Sequence, residues 1–201
     1  MGIDSGFNIA GLFERAVDVV PDRLALVCGD RRLTYAEFDR EANQLANHLL
    51  GEGFGHDDHI GIYGQNSAEW LVAMVAVFKI RAIPININFR YVEDELTYLF
   101  DNADLVALIH DRAYADRIAA VLPGVPGLRH FVSVEDGSGI DASVLPEAVT
   151  WAEAIDEASS ERPQLARSGD DLYVLYTGGT TGMPKGVVWR HEDVFYALGG
   201  G

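Results

Sequence analysis

Residues 177–186 are the part of the chain whose side chains best suit phosphate chemistry. The run reads Thr-Gly-Gly-Thr-Thr-Gly-Met-Pro-Lys-Gly and holds four glycines, three threonines and one lysine. Glycines let backbone N–H groups converge on one point, because no Cβ blocks the approach of an oxygen atom. Threonine hydroxyls and the ammonium group of Lys185 add donors and positive charge. The run therefore predicts a phosphate-binding loop, and a solvated glycine-rich turn is the alternative interpretation.

The charge distribution favours the phosphate-binding interpretation. The chain carries 15 Lys and Arg residues against 31 Asp and Glu residues, which gives a formal net charge of -16. Residues 172–191 contain no acidic residue, whereas Lys185 and Arg190 both lie in this segment. A basic segment in an acidic chain concentrates anions locally. The sequence pI of about 4.5 argues against a nucleic-acid partner.

The sequence after the glycines shows what kind of loop this is. The P-loop of nucleotide triphosphatases needs Gly-Lys-Ser/Thr at the start of a helix. Here Pro184 precedes Lys185, and Gly-Val-Val-Trp follows it at 186–189. Proline lacks a backbone donor, and β-branched residues favour extended chain. We therefore predict that the loop joins two strands, at 172–176 and 187–189.

Alternating helix and strand patterns in the rest of the chain must position this loop. Asn8 caps a first helix, and Thr34 opens a second one in a capping box with Glu37. Further strands are predicted at 60–63, 83–87, 105–110 and 130–134, and further helices at 67–80, 92–102, 112–122 and 151–158. Strands that are apolar on both faces and alternate with helices are typical of parallel sheets. The fold class is therefore predicted as α/β, with a parallel sheet flanked by helices.

The composition indicates the cellular compartment of the protein. Cys28 is the single cysteine, so an internal disulfide is excluded and a reducing cytoplasm is favoured. We interpret Cys28 as a small buried apolar side chain and not as a nucleophile. The longest apolar stretch, 70–78, is far shorter than the roughly 20 residues needed to cross a bilayer. The sequence predicts a cytoplasmic protein without a transmembrane segment.

Residues 176–186 resemble the phosphate-binding signature of the adenylate-forming (ANL) superfamily, which includes acyl-CoA synthetases, peptide-synthetase adenylation domains and luciferases. The usual form is Tyr/Phe-Thr-Ser-Gly-Ser/Thr-Thr-Gly-x-Pro-Lys-Gly. Gly178 replaces the common serine, which removes one hydroxyl contact and leaves the backbone cradle intact. The match is long and specific.

Other segments resemble the same superfamily in the expected order. Residues 33–38 resemble its early Leu-Thr-Tyr-x-Glu-Leu segment. Residues 78–86 resemble the helix-to-strand element that follows, with Arg81-Ala82 where Ala-Gly is usual. Residues 86–91 and 189–193 resemble actinobacterial fatty-acid and steroid-side-chain CoA ligases.

The resemblance implies a reaction and its small-molecule partners. A carboxylate of a fatty-acid-like or steroid-side-chain acid attacks the α-phosphate of ATP, and pyrophosphate leaves. The thiol of coenzyme A then displaces AMP from the acyl-adenylate. ATP, Mg²⁺ and coenzyme A are the implied cofactors.

The resemblance also implies roles for individual residues. The residues implied to bind the β- and γ-phosphates are Thr177, Gly178, Gly179, Thr180, Thr181, Gly182 and Lys185. Lys185 and Thr181 are the implied catalytic residues, since Lys185 neutralises the leaving pyrophosphate and the Thr181 hydroxyl is a candidate Mg²⁺ ligand. His191 and Trp189 are candidates for the nucleotide or acyl pocket. The alternatives are a structural role at a helix start for His191 and core packing for Trp189.

The resemblance covers only part of an adenylation domain. Residues 1–201 correspond to its N-terminal portion, and the family's Tyr-Gly-x-Thr-Glu segment, ribose-binding Asp, hinge and C-terminal catalytic lysine follow the phosphate loop. We therefore expect the chain to be truncated, lacking the rest of that domain and the lid domain, and to have little ligase activity alone. A non-catalytic nucleotide- or partner-binding half of a split enzyme is the alternative. A dinucleotide-binding oxidoreductase is disfavoured, because no Gly-x-Gly-x-x-Gly follows the first strand.

Overall fold

A computed structural model of the chain describes residues 7–179 and 182–198. Helices and strands alternate along the chain, as the sequence predicts. The helices are α1 (Ile9–Val19), α2 (Tyr35–Gly51), α3 (Ala68–Lys79), α4 (Glu93–Asn102), α5 (Ala115–Val121), α6 (Trp151–Asp156) and α7 (His191–Leu198). The strands are β1 (Leu24–Cys28), β2 (Arg31–Thr34), β3 (His59–Tyr63), β4 (Ile83–Ile87), β5 (Leu105–Asp111), β6 (His130–Val134), β7 (Val149–Thr150), β8 (Leu172–Gly179) and β9 (Gly182–Arg190).

The central sheet has the strand order β7-β6-β5-β3-β4-β8-β9 in the described part of the chain. Every neighbouring pair is parallel except β8 and β9, which are antiparallel. Strand β9 forms one edge of this sheet. The predicted α/β class with a mostly parallel sheet flanked by helices is confirmed.

Strands β3, β4 and β5 are buried on both faces, because helices cover the sheet on each side. One apolar cluster lies between the sheet and helices α2, α3 and α6, and the other lies against α4 and α5. Gly61 in β3 shows how closely they pack. A Cβ at this position would lie 2.7 Å from Leu108 Cδ1, so only glycine fits without movement of a neighbour.

Side-chain caps fix the starts of the helices that precede the sheet strands. Asn8 Oδ1 accepts hydrogen bonds from the backbone N–H groups of Ala10 and Gly11 at the start of α1. Thr34 and Glu37 form the predicted capping box of α2. These contacts satisfy N–H groups that have no partner within the helix. The starts of α1 and α2 could therefore be predicted from the local sequence.

A buried ion cluster joins the first three helices. Lys79 at the end of α3 has no exposed surface, and its Nζ lies 2.5 Å from Glu14 Oε1 and 2.8 Å from Asp39 Oδ1. Arg167 Nη1 lies 2.7 Å from Glu14 Oε2, and Arg162 Nε lies 3.0 Å from Asp39 Oδ2. The cluster ties the segment that precedes β8 to α1, α2 and α3.

Three local features differ from the sequence predictions. Strands β1 and β2 form a separate antiparallel ribbon that was not among the predicted elements. Cys28 ends β1 and is half-buried at the margin of the core, since the ribbon has one open face. The helix predicted at 112–122 begins with a 3₁₀ turn, Arg112–Tyr114, before α5. Within the described ranges, no helix is long and apolar enough to span a bilayer.

Candidate nucleotide-binding hairpin

The glycine- and threonine-rich run forms the far end of the β8–β9 hairpin. Thr177 pairs with Lys185, and Gly179 pairs with Gly182, in an antiparallel ladder that is irregular between Thr177 and Gly179. The chain passes directly into β9 and not into a helix. The prediction that the loop joins two strands is confirmed, and the P-loop geometry is excluded.

Two groups able to bind phosphate lie on one face of this hairpin. Thr177 and Lys185 are both exposed, and directly paired residues of antiparallel strands point to the same face with their Cβ atoms about 5 Å apart. Gly178 is exposed as well, and Tyr91 Oη is the one atom within 4 Å of a Cβ built there, at 3.6 Å. The hydroxyl of Thr177 and the ammonium of Lys185 therefore face the same solvent.

The structure describes some of the predicted phosphate-binding residues and not others. Gly179 and Gly182 end the two strands and pair with each other. Thr180 and Thr181, the latter also the candidate Mg²⁺ ligand, lie outside the described residues. Their roles remain predictions from the resemblance.

The base of the loop packs against neighbouring side chains. A Cβ at Gly186 would lie 3.0 Å from Tyr176 Cε2 and 3.1 Å from Val174 Cγ1, so the Tyr176 ring covers this glycine. The Tyr176 hydroxyl donates to Asn102 Oδ1 at 3.0 Å, and its backbone N–H donates to Asn86 Oδ1 at 3.3 Å. Burial raises the pKa of Tyr176, so the phenol stays protonated. These contacts hold the hairpin against β4 and α4.

The two cations of the segment differ in how much of their charge is available. Arg190 is paired with Asp170 at 2.7 Å and with Asp193 at 2.8 Å. These carboxylates raise the pKa of Arg190 and neutralise its charge. Lys185 has no carboxylate partner in the part of the chain that the structure describes. The sequence alone overestimated the free positive charge of Arg190, because Asp170 and Asp193 lie just outside the acid-free segment 172–191.

His191 opens α7 and is buried against the first helix. Its Nδ1 lies 3.0 Å from Asn8 Nδ2 and 3.3 Å from the backbone N of Ile9, and its ring meets Phe78 edge-on at 4.9 Å. Burial lowers the pKa of His191 to about 4, so the ring is neutral. Both neighbours of Nδ1 are N–H donors, so Nδ1 is the acceptor and Nε2 carries the hydrogen. The structure gives His191 the structural position named above as its alternative, and its pocket role stays a prediction.

Trp189 lies on the same face of β9 as Lys185, four residues further along the strand. It pairs with Tyr173 and is 40% exposed. The indole ring therefore lies outside the core of the described chain, on the face of the candidate phosphate site but about 13 Å nearer the base of the hairpin. A role in an acyl or nucleotide pocket stays a prediction.

Sequence reasoning missed the residues that hold the base of the hairpin. Asp171, directly before β8, is 3% exposed, and it accepts hydrogen bonds from Arg81 and from Asn8. The contacts span 90 and 163 positions in sequence, so no local pattern connects them. The one available signal was Arg81 itself, a charged residue between a helix and a buried strand.

The donors on the hairpin suit phosphate oxygens, whereas the described residues offer little to a bare metal ion. No group of three or more His, Cys, Asp or Glu side chains is arranged to hold a metal within residues 7–179 and 182–198. Mg²⁺ keeps most of its water and is commonly held through substrate phosphates.

Residues 13–200 match the protein family described as AMP-binding enzyme. The chain belongs to this family. It is 53% identical over 198 residues to the medium/long-chain-fatty-acid–CoA/3-oxocholest-4-en-26-oate–CoA ligase of Mycobacterium marinum, covering 96% of this chain and 36% of that protein. It is 53% identical over 194 residues to the 3-oxocholest-4-en-26-oate–CoA ligase of Rhodococcus rhodochrous, covering 96% of this chain and 35% of that protein.

Solved structures of the family agree with this assignment. The anthranilate CoA ligase AuaEII, in complex with anthranoyl-AMP, matches with a TM-score of 0.86 at 26% identity, over 96% of this chain and 36% of that chain. The N-terminal domain of FACL13 from Mycobacterium tuberculosis matches with a TM-score of 0.80 at 27% identity, over 93% and 45% of the two chains. The resemblance to actinobacterial CoA ligases is confirmed. The chain spans about 36% of the length of the ligase relatives that it matches.

Proposed function

We propose that this chain supplies the triphosphate-binding part of an AMP-forming acyl-CoA ligase. The reaction joins a fatty-acid-like or steroid-side-chain carboxylic acid to ATP as an acyl-adenylate, which coenzyme A converts to acyl-CoA and AMP. One observation carries the proposal: Thr177 and Lys185 lie exposed on one face of a glycine-rich hairpin, and Lys185 has no carboxylate partner among the described residues. The relatives named as CoA ligases support the substrate class.

The chemical difficulty of the first step is electrostatic. A carboxylate must approach a polyphosphate, and negative charge develops on the pyrophosphate that leaves. A correctly placed donor is worth roughly 3 kcal/mol to such a step. Lys185 neutralises the leaving pyrophosphate, and Thr177 donates its hydroxyl to a phosphate oxygen. Backbone N–H groups from Gly178 to Gly182 complete the cradle.

We assign Mg²⁺ to the phosphates of ATP, with the Thr181 hydroxyl as its protein ligand. The Thr180 hydroxyl would donate to a phosphate oxygen, as the family resemblance implies. ATP supplies the activated phosphoryl centre and the pyrophosphate leaving group. Trp189 is assigned to the nucleotide or acyl pocket, and the buried His191 is assigned to shaping that pocket indirectly, through its contacts with Asn8 and Phe78.

The remaining parts of the reaction are assigned to sequence that the longer relatives contain. In this proposal residues 1–201 form the N-terminal portion of the adenylation domain. Binding of adenine, coenzyme A and most of the acyl chain requires the other two thirds of the relatives' length. The isolated chain then turns over little or no substrate.

The test compares single variants in a complete ligase. This chain replaces the 194 matched residues of the Rhodococcus rhodochrous ligase, and exchange of radiolabelled pyrophosphate into ATP is measured with 3-oxocholest-4-en-26-oate or a fatty acid. Lys185→Ala should lower exchange about 100- to 1,000-fold. Arg190→Ala removes a cation from the same strand whose charge is already neutralised, and should change exchange by less than about threefold. Equal rates for the two variants would refute the role of Lys185.

An exposed apolar face favours a second candidate, a non-catalytic nucleotide- or partner-binding half of a split enzyme. Met183, Val187 and Trp189 lie on one face of β9 and are 41%, 43% and 40% exposed, far more than the side chains of the core strands. Contiguous exposed apolar surface marks sites of protein association. Size-exclusion chromatography of this chain with the complementary part of the relative, added as a separate polypeptide, distinguishes a split enzyme from a chain that must be continuous.

A further inference from the structure

We propose that Arg81 and Asp171 form a clamp that positions the β8–β9 hairpin for its ligand. The inference rests on the proposed function, in which the hairpin binds the triphosphate of ATP. Both are positioning residues, since each acts through the hairpin and not on the ligand.

Asp171 is the centre of the clamp. Arg81 Nε donates to its Oδ1 at 3.0 Å and Arg81 Nη2 donates to the same oxygen at 2.8 Å. Asn8 Nδ2 donates to Oδ2 at 2.8 Å, and the backbone N–H of Ser168 donates to Oδ2 at 3.2 Å. The carboxylate is 3% exposed, and buried charges of this kind are stable only when they are paired and hydrogen-bonded. Each carboxylate oxygen is therefore held by at least two donors.

The clamp joins the two ends of the hairpin. Asp171 immediately precedes β8, and His191 immediately follows β9. The backbone N–H of His191 donates to the carbonyl of Asp171 at 2.8 Å, and the N–H of Glu192 donates to the carbonyl of Gly169 at 3.0 Å. Asn8 contacts both ends, because its Nδ2 also lies 3.0 Å from His191 Nδ1. The base of the hairpin thus closes on the cap of the first helix.

The backbone conformation of Arg81 is unusual for a residue with a side chain. Arg81 has a φ of 64°, in the left-handed region that glycine adopts far more readily than any other residue. Its carbonyl accepts a hydrogen bond from the N–H of Asp57, and its N–H donates to the carbonyl of Phe78. An L residue in this conformation is strained and persists where its surroundings offset the strain. The guanidinium contact to Asp171 is part of those surroundings.

The clamp holds the base of the hairpin, whereas the Tyr176 contacts to Asn86 and Asn102 hold it further along β8. Strand β8 has one registered backbone pair with β4, Ile85 with Val174, and its other neighbour is β9, the edge strand. From Leu172 to Thr177 the strand extends about 17 Å at 3.4 Å per residue. A small rotation at the base therefore moves the far end by a much larger distance.

Two histidines also face Asp171, namely the buried His191 and the half-exposed His56. The Nε2 of His56 lies 3.9 Å from Asp171 Oδ1. Arg81 lies closer to the carboxylate, with Nη2 2.8 Å from Asp171 Oδ1, and its side chain is 25% exposed. The clamp is therefore assigned to the arginine.

The test uses this chain and two independent measurements. Arg81→Gly removes the arginine partner of the buried Asp171 carboxylate and at the same time relieves the left-handed strain, so global stability should fall, but less than in Arg81→Ala, which loses the same partner and keeps the strain. Hydrogen exchange of the amides in 172–178 and 183–190 should become about tenfold faster, because exchange reports local opening of a segment. The dissociation constant for Mg–ATP, measured by titration calorimetry, should rise about tenfold.

Two further variants act as controls. Arg162→Gln also removes an arginine that pairs with a largely buried carboxylate, Asp39, but it lies away from the hairpin. It should leave hairpin exchange and Mg–ATP binding unchanged. Arg81→Lys keeps the charge and loses one of two contacts, so its effects should be about threefold and partly restore the wild-type behaviour.

The possible outcomes separate this inference from the proposed function. Unchanged hairpin exchange in Arg81→Gly overturns the clamp. Faster exchange with unchanged Mg–ATP affinity also overturns it, because the residue would then be merely structural. If the unaltered chain alone does not bind Mg–ATP, the affinities are compared in the ligase in which this chain replaces the matched residues. There, an unchanged dissociation constant in Arg81→Gly overturns the clamp, whereas a lack of Mg–ATP binding by the unaltered protein overturns the proposed function.

Discussion

Thr177 and Lys185 are direct partners across the β8–β9 ladder, and both side chains are exposed. The pairing turns two residues eight positions apart into neighbours on one face, which only an antiparallel hairpin achieves. A hydroxyl donor and an ammonium group therefore converge without help from any other element. Two predictions concern the hairpin, and two concern buried charged or titratable groups elsewhere in the described chain.

Replacing Thr177 by valine should weaken Mg–ATP binding about tenfold, because a hydrogen bond to a charged group is worth about 1.5–3 kcal/mol. Valine keeps the branched shape and the preference for strand, so the thermal midpoint should stay within about 2 °C. Titration calorimetry measures the affinity. Thr97→Val is the matched control, since Thr97 Oγ1 donates to the carbonyl of Glu93 on α4, away from the hairpin. Equal affinities in both variants would contradict the role of Thr177.

Gly186→Ala should destabilise the chain by about 1–3 kcal/mol, because an added Cβ would overpack the contact with Tyr176. The built Cβ lies 3.0 Å from that ring. Gly178→Ala is the control, since its Cβ would meet only Tyr91 Oη, at 3.6 Å. Its stability should change by less than about 1 kcal/mol. Urea unfolding of the two variants compares them directly, and a larger loss in Gly178→Ala would contradict the packing described.

Acid should destabilise the fold between pH 6.5 and pH 4 through two buried histidines. Burial lowers the pKa of both His110 and His191 to about 4. Protons then bind the unfolded chain near pH 6.5 but the folded chain only near pH 4, so stability is complete above pH 6.5 and is lost as the pH falls through this window. A lowering from 6.5 to about 4 corresponds to roughly 3 kcal/mol for each residue.

His110→Asn tests this acid sensitivity. Asn offers an amide donor near the position of Nδ1, which lies 2.9 Å from the carbonyl of Asp111, and it does not titrate. Between pH 7 and pH 5 the variant should lose about 2 kcal/mol less stability than the unaltered chain. Urea unfolding at the two pH values measures both losses. Parallel pH profiles would show that His110 is not a source of the effect.

Lys79→Met should destabilise the chain by about 3–5 kcal/mol, because it leaves buried carboxylates without their partner. Burial disfavours the charged form of Asp39, yet Lys79 and Arg162 hold its pKa below the ordinary value. Lys185→Met is the control, since Lys185 is exposed and unpaired in the described ranges. It should change stability by less than about 0.5 kcal/mol. Similar unfolding midpoints for both variants would contradict the assigned roles.

Local chemistry explains which parts of the fold were predictable. The Asn8 and Thr34 caps act within three residues, so the starts of α1 and α2 follow from sequence. The strand–loop–strand character of the hairpin followed from Pro184 and the β-branched residues after it. Gly186 pairs with Tyr176 at the base of the loop, where a Cβ would crowd the Tyr176 ring, so a glycine at this position agrees with the packing.

Contacts between distant segments were not predictable in the same way. The Arg81–Asp171 pair joins positions 90 apart, and Asn8 reaches Asp171 and His191 across more than 160 positions. Each residue taken alone matched a familiar local role, such as a helix cap or a polar turn. Arg190 was misjudged for a related reason, since Asp170 and Asp193 neutralise it from outside the segment considered.

The difference between the two lysines has a practical consequence. Lys79 is enclosed in its ion cluster, and Lys185 stands in solvent on the hairpin. Apart from the α-amino group, an amine-acylating reagent should thus attach at one position. That makes the hairpin a single-site chemical handle, whose labelling rate would report directly on whether a nucleotide covers it.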